Sequence, residues 1–224
     1  MMKWFGKSLQ LVWLGVKSGF QFVYGFYYLS RLQQPIVSIF GGKGAYEEGK
    51  YVQWAQDAAA RAAEWNMSVI TGGGPGIMEA ANCGIFKPRK NGKNITLGIG
   101  VRGVDEDFIN PCAPLIWVDY FFVRKWLLTH YSCGFIIFPG GIGTMDEFFE
   151  VLNLIKLKKL RAVPIILIGT SYWHHIIQWY NHAFEYEFTN LPAQSAFIIT
   201  DDPIEAIDII YQSYREYNKQ SRSQ

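Results

Sequence analysis

Three glycine-rich turns, at residues 41–44, 72–76 and 139–143, each lie between a short apolar run and an amphipathic helical pattern. Apolar runs of this length that alternate with helices are typical of a parallel sheet covered by helices on both faces. In such sheets the turns after the strands share one edge, and ligands bind there where the strand order reverses. We therefore predict an α/β fold, Rossmann-like, with three α/β/α layers, a mainly parallel sheet and a binding site among these turns.

The same patterns predict the elements and the organisation of the whole chain. Strands are expected at 36–40, 67–71, 95–101, 115–118, 135–138, 163–168 and 197–200. Helices are expected at 46–65, 77–86, 121–131, 144–158, 172–188 and 203–214, with a basic polar loop at 87–94 and a frayed tail from residue 215. We divide the chain into an N-terminal hydrophobic helical extension (1–34), one Rossmann-like domain (35–215) and a polar tail (216–224).

The N-terminal extension is rich in aromatic and aliphatic residues, and its four charged residues are all positive. Lys17 and several polar residues interrupt the run of about 20 apolar residues that a membrane-spanning helix needs. Three interpretations stay open: a helix that packs on the body or on a partner subunit, a helix on an anionic membrane surface, and true insertion.

Composition excludes several classes of protein. Half of the residues are hydrophobic, which excludes a disordered chain, and a formal charge of +2 is too small to indicate binding to nucleic acid by bulk attraction. The three cysteines, Cys83, Cys112 and Cys133, are far apart and form no Cys-x-x-Cys pair, so we expect neither a disulfide framework nor a zinc site. A reducing cytoplasm is the compartment we expect.

The turn at 139–143 has the features of an anion site. Glycines let the backbone approach a ligand, and the first N–H groups of the following helix are unpaired and carry the positive end of its dipole. A phosphate binds such a helix start without other help. The alternative is structural, because Thr144 and Glu147 have the spacing of a capping box that would close the helix.

Charged residues near the other turns also admit two interpretations. Arg124 and Lys125 form either a solvated basic pair or a fork and a point charge for phosphate or carboxylate. Glu79, in the first turns of the helix after 72–76, is either a ligand-site acid or a surface acid that complements the helix dipole. The histidines lack metal-binding spacing, so we expect no metal.

Together these motifs resemble the Lonely Guy (LOG) family, whose members have often been labelled lysine decarboxylase-like. The resemblance rests on three stretches, Gly72-Gly73-Gly74-Pro75-Gly76-Ile77-Met78-Glu79-Ala80-Ala81-Asn82, Phe122-Val123-Arg124-Lys125 and Pro139-Gly140-Gly141-Ile142-Gly143-Thr144-Met145-Asp146-Glu147. It covers about residues 35–215 and is strongest to the longer bacterial branch. The chain departs from the short-branch Met-His-x-Arg-Lys pattern, because residues 121–123 are Phe-Phe-Val, and it has Asn153 where many members have Thr; both departures bear on recognition of the base.

The resemblance implies a phosphoribohydrolase, which cuts AMP or cytokinin-type nucleoside 5′-monophosphates into free base and ribose 5-phosphate without a cofactor. It places Arg124 and Glu147 in the catalytic positions. The substrate- and phosphate-binding positions would be Gly41, Gly42, Gly73, Gly74, Glu79, Lys125, Gly140, Gly141, Ile142, Gly143 and Thr144. It also makes residues 35–215 a nucleotide-binding catalytic domain and implies a homodimer or a higher homo-oligomer. Apart from the resemblance, the apolar and basic residues 1–34 leave a peripheral membrane contact open for a protein expected in the cytoplasm.

Two other functions are compatible with the motifs. A nucleotide-binding or molybdenum-cofactor carrier protein would use the same glycine turns without turnover. A decarboxylase would need a lysine for pyridoxal phosphate, for which Lys43, Lys125 and Lys156 are available.

Overall fold

The computed structural model describes residues 2–44, 49–85, 95–104 and 106–222, in which helices and strands alternate. The strands are β1 (Ile36–Phe40), β2 (Ser68–Thr71), β3 (Thr96–Val101), β4 (Leu115–Val118), β5 (Ser132–Ile137), β6 (Ile165–Ile168) and β7 (Ile198–Thr200). The helices are α1 (Met2–Ser30), α2 (Lys50–Glu64), α3 (Ile77–Gly84), α4 (Phe121–His130), α5 (Ile142–Lys156), α6 (Thr170–Glu185), α7 (Ala193–Ala196) and α8 (Pro203–Arg222).

The seven strands of the described residues form one sheet in the order β4-β3-β2-β1-β5-β6-β7. Every neighbouring pair is parallel. Two hydrophobic cores cover the two faces, one around Phe148 and Trp173 and the other around the small alanine face of α2 and Ile207 of α8. The predicted three-layer, Rossmann-like α/β fold is therefore confirmed, as is the added N-terminal helix.

The central strands are uniformly apolar because both of their faces are covered. All residues of β1, β2, β3, β5 and β6 are buried, and this is why short apolar runs located them in the sequence. The predicted start of the second helix at residue 46 and the basic loop at 87–94 lie outside the described residues.

The C-terminal helix is longer than expected. The predicted helix ends at Tyr214, with a frayed tail beyond it, but α8 continues to Arg222. Beyond Tyr214, the guanidinium of Arg161 lies 4.0 Å from the ring of Tyr217. Within the predicted part, Tyr211 stacks on Trp65 at 4.4 Å.

The long helix α1 packs against α4. Phe22 meets Trp126 edge to face at 5.3 Å, and Gly25 lies so close to Leu127 that a Cβ there would clash with the leucine side chain. The amide of Gln21 donates to Asp119, and Lys17 Nζ lies 3.2 Å from the same carboxylate. None of the helices in the described ranges combines the length and the hydropathy that a membrane span requires.

The expectation that the cysteines form no disulfide is wrong for one pair. Cys83 at the end of α3 is bonded to Cys112 in the segment before β4, with the two Cα atoms 4.9 Å apart. The two residues are 29 positions apart in sequence, but the chain between β3 and β4 returns over α3 and brings them together. Cysteine usage therefore no longer supports a reducing compartment, and the location of the protein stays a prediction.

Candidate active site

The strand order reverses between β1 and β5, and the turns after these two strands are in direct contact. The N–H of Gly42 donates to the carbonyl of Pro139 at 2.9 Å. A Cβ on Gly140 would lie 2.7 Å from the Gly42 nitrogen and would clash with the side chain of Thr144. Gly140 thus lets the two turns close on each other at the switch point, where open α/β sheets bind ligands.

The turn after β2 joins the same cluster. The N–H of Ile77, the first residue of α3, donates to the carbonyl of Gly42 at 3.3 Å. Gly76 has a φ of +73°, and a Cβ there would lie 2.7 Å from that carbonyl oxygen. The left-handed conformation and the close approach both require glycine. The three predicted turns therefore meet at one edge of the sheet.

The start of α5 is open. Its N-cap is Gly141, and no described side chain caps the helix. Gly141, Ile142 and Gly143 are exposed, and Cβ atoms built at the two glycines meet no described atom within 4 Å. Thr144 lies inside the helix and is buried, so the capping-box alternative for Thr144 and Glu147 is wrong. The free N–H groups at this helix start suit a phosphate.

A buried polar network holds the turn after β2. The side chain of Asn82, fully buried in α3, accepts from the Thr71 hydroxyl at 2.8 Å and donates to Thr96 Oγ1 at 2.6 Å. Asn110 donates to the same Asn82 oxygen at 3.0 Å, and the Thr71 hydroxyl accepts from the N–H of Gly73 at 3.0 Å. Because buried polar groups are costly to leave unpaired, this network fixes the backbone of the turn.

Arg124 reaches into the site from α4. Its Nε donates to the carbonyl of Ile99 at 2.9 Å, which orients the guanidinium, and its side chain is 16% exposed. Its Nη2 packs against Gly72, where a Cβ would clash with it. Gly72 is therefore required for the position of Arg124, not for a turn conformation.

Glu147 faces Arg124 from the second turn of α5. Its Oε1 lies 3.7 Å from Nη2 of Arg124, and its side chain is 14% exposed. Burial raises the pKa of Glu147 to about 7, and the neighbouring carboxylates Asp146 and Glu150 raise it further, while Arg124 and Lys125 oppose the rise. A carboxyl group with a pKa near neutrality can accept or donate a proton at physiological pH. The two predicted catalytic residues are thus adjacent and mostly shielded from solvent.

Lys125, a residue of α4, contacts acidic side chains of α5. Its Nζ is 2.7 Å from Asp146 and 2.7 Å from Glu150. Burial lowers the pKa of Lys125, but the hydrogen bonds to the two carboxylates outweigh burial and leave the pKa raised. Lys125 is therefore a charged ammonium group that two carboxylates hold in place near Glu147. Its contact with phosphate stays a prediction.

A cavity of about 50 Å³ lies beside Arg124. The predicted residues Gly73 and Gly74 line it, and so do Met78, Val101, Val104, Leu115 and Trp117. The sequence interpretation missed these walls from β3, β4 and the loop after β3. Position at the carboxyl end of β4 was the signal that could have identified Trp117, because the ligand edge of the sheet includes that end.

Glu79 lines a neighbouring cavity rather than this one, together with Lys43, Pro75, Gly76 and Phe108. Glu79 is not among the residues that line the cavity beside Arg124. Gly41 is buried against Ile77, where a Cβ would clash. The proposed ligand contacts of Glu79 and Gly41 remain untested predictions.

Tyr172 is a further residue that sequence patterns did not identify. Its hydroxyl, from the first turn of α6, donates to the carbonyl of Gly140. This hydrogen bond joins α6, which follows β6, to the turn that precedes α5.

The fold and the site define a Rossmann-like α/β protein with an anion-binding helix start at the switch point and a shielded Arg–Glu pair beside it. A family model described as "Possible lysine decarboxylase" matches residues 68–210. The chain belongs to this family, in agreement with the resemblance that its motifs show.

The chain is also similar to one curated relative in sequence and to two solved structures in fold. It is 32% identical over 79 residues to the cytokinin riboside 5′-monophosphate phosphoribohydrolase of Rhodococcoides fascians, a match that spans 35% of this chain and 40% of the relative. The chain thus matches less than half the length of that relative.

The structures share the fold at low identity. The molybdenum cofactor binding protein of Rippkaea orientalis aligns with a TM-score of 0.59 at 21% identity, covering 80% of this chain and 97% of that one. The molybdenum cofactor carrier protein of Chlamydomonas reinhardtii aligns with a TM-score of 0.56 at 19% identity, covering 81% and 99%.

Proposed function

We propose that this protein hydrolyses the N-glycosidic bond of a nucleoside 5′-monophosphate, of the AMP or cytokinin type, and releases the free base and ribose 5-phosphate. The observation that carries the proposal is the shielded Arg124–Glu147 pair, 3.7 Å apart, beside the uncapped start of α5. The relative from Rhodococcoides fascians, named as a phosphoribohydrolase of cytokinin riboside monophosphates, supports the reaction class.

The 5′-phosphate binds at the start of α5, on the N–H groups of Ile142, Gly143 and Thr144. This anchor is remote from the bond that breaks, so it positions the ribose without itself reacting. The base occupies the cavity lined by Leu115 and Trp117.

The reaction consumes one water molecule. The bond from C1′ of the ribose to the base nitrogen breaks, its electron pair leaves with the base, and positive charge develops on the ribose ring. The carboxylate of Glu147 stabilises this charge or accepts the proton of the water whose oxygen bonds to C1′. A proton ends on the base nitrogen, which balances the products. Arg124 binds the phosphate, orients Glu147 or assists the departing base.

The family description raises decarboxylation as a rival, but Lys125 does not suit it. A lysine that forms a Schiff base needs its amine uncharged, which requires a lowered pKa. Lys125 instead contacts two carboxylates at 2.7 Å, and its pKa is raised. Lys156 is likewise engaged, since its Nζ donates to Thr189 Oγ1 at 3.2 Å on the surface.

A substrate panel tests the proposal. Purified protein is incubated with AMP, GMP, CMP and an isopentenyl-adenosine monophosphate, and free base and ribose 5-phosphate are measured by chromatography. We expect both products in equal amounts from at least one adenine nucleotide. If nucleotides raise the melting temperature but give no product, the protein is a binding or carrier protein, the function that the molybdenum cofactor neighbours in fold would favour.

We further propose that the protein acts in the cytoplasm as a homodimer or a higher homo-oligomer. The family that the motifs resemble supports this assembly.

A further inference from the structure

Helix α1 has two rows of residues with the alternating three- and four-residue spacing of a coiled-coil seam. The first row is Ser18, Phe22, Gly25 and Leu29. Ser18, Gly25 and Leu29 are buried, and Phe22 packs on the aromatic side chains of α4. The body of the protein therefore occupies this row.

The second row, which we call the outward stripe, consists of Trp13, Val16, Phe20, Val23 and Tyr27. These side chains are 67%, 45%, 73%, 69% and 50% exposed. Their spacing continues the seam pattern over two heptads, and none of them is charged. At 100° per residue the outward stripe lies on the side of the helix away from the row that contacts α4.

The polar residues of α1 lie elsewhere on the helix. Lys17 and Gln21 both contact Asp119 of the body, and Lys7 projects from the side opposite the outward stripe. A surface helix of a globular protein normally turns its apolar side inward, whereas α1 exposes the outward stripe and, in its first half, also Leu11 and Val12. An exposed apolar row of this length marks an interaction surface.

The area of the outward stripe fits a protein interface. Aromatic side chains cover about 150–250 Å² each, so three aromatics and two valines at these exposures present roughly 500–700 Å². A standard interface takes about 800 Å² from each partner.

We propose that the outward stripe of α1 pairs with the outward stripe of a second copy of this chain, forming a two-fold helix–helix interface. The seam spacing matches another helix, and a symmetric dimer places the same row on both partners. Lys7 points away from the seam and Lys17 is paired with Asp119, so the cations do not repel the second copy. This inference does not depend on the proposed chemistry.

Sedimentation velocity tests the interface with a matched pair of variants. Phe20→Lys places a charge in the outward stripe, whereas Leu11→Lys makes the same change at an equally exposed residue on the other side of the helix (73% and 69%). The protomer mass is 25.7 kDa. We expect the wild type and Leu11→Lys to have the same mass, at least twice the protomer mass. We expect the mass of Phe20→Lys to be half that of the wild type. A monomeric wild type, or a Phe20→Lys variant with the wild-type mass, would overturn the proposal.

Two further measurements keep the test decisive if Phe20→Lys folds poorly. Val23→Cys should cross-link between copies under mild oxidation, and Leu11→Cys should not; equal cross-linking of both, or of neither, contradicts the interface. Flotation with phosphatidylserine–phosphatidylcholine vesicles examines the lipid alternative. Vesicle binding that Phe20→Lys abolishes, with the mass unchanged, would show that the stripe binds lipid instead of a second copy.

Discussion

At the scale of single residues, the burial of Glu147 governs both its chemistry and its contribution to stability. In the folded protein its pKa is raised from 4.5 to about 7, chiefly by burial. Between these two values the folded state binds more protons than the unfolded chain, so this residue makes the free energy of unfolding fall as pH rises through that window. Above about pH 7 the loss is complete.

Glu147→Gln should remove this dependence, because an amide does not ionise. We expect the variant to gain stability over the wild type progressively from pH 4.5 to pH 7, by up to about 3 kcal/mol, since one pKa unit corresponds to about 1.4 kcal/mol. Urea unfolding at several pH values measures the difference, with the exposed Glu185→Gln as the control for the change of charge. A difference between Glu147→Gln and wild type that is constant across this range would contradict the account.

Gly72 offers a second residue-scale prediction, because its missing side chain is the space that Arg124 occupies. Gly72→Ala should displace the guanidinium and lower kcat at least tenfold while changing the melting temperature little, since the arginine end is flexible. Gly44→Ala is the matched control, as a Cβ there meets no described atom within 4 Å. The kcat of both variants is measured in turnover assays. A Gly72→Ala variant with wild-type kcat would show that the position of Arg124 does not affect catalysis.

At the scale of elements, the contact between α1 and α4 depends on close approach. Gly25→Ala should destabilise the protein by about 1–3 kcal/mol, because the new methyl group overlaps Leu127 in a packed seam. Gly15→Ala, on the exposed part of the same helix, should be neutral or stabilising by up to about 1 kcal/mol. Chemical unfolding measures both, and equal effects would mean that α1 is not docked as described.

The elements that sequence patterns located best are those whose burial is uniform. Strands β1 and β4 and the start of α3 agree with the expected bounds, and β2 begins one residue later than expected, since apolar runs and glycine turns mark them directly. The full length of α8 was not predictable from a polar sequence, because the part beyond Tyr214 contacts Arg161, which comes from a distant part of the chain.

The candidate site shows the same division. The glycine turns, Arg124 and Glu147 were identified by motif, and the structure brings Arg124 and Glu147 to within 3.7 Å of each other. The cavity wall at Trp117, the carboxylate partners of Lys125 and the Cys83–Cys112 bond depend on which loops return to one place. Local patterns carry no information on such long-range contacts.

At the scale of the whole molecule, one sheet edge collects the parts of the proposed reaction. The switch point sets the three glycine turns together, α5 presents both its open start and Glu147, and α4 supplies Arg124. The same helix α4 carries α1 on its other side, so the proposed pairing of copies would lie behind the site rather than across it.

The most direct test of the central claim is turnover by Glu147→Ala with the adenine nucleotide that the wild type cleaves best. The account predicts that release of ribose 5-phosphate falls by at least a hundredfold, while the dissociation constant for ribose 5-phosphate changes less than about threefold. Asp146→Ala, an exposed acid one residue earlier, should keep most of the wild-type rate. Wild-type turnover by Glu147→Ala would contradict the assignment of this carboxylate to the cleavage of the glycosidic bond.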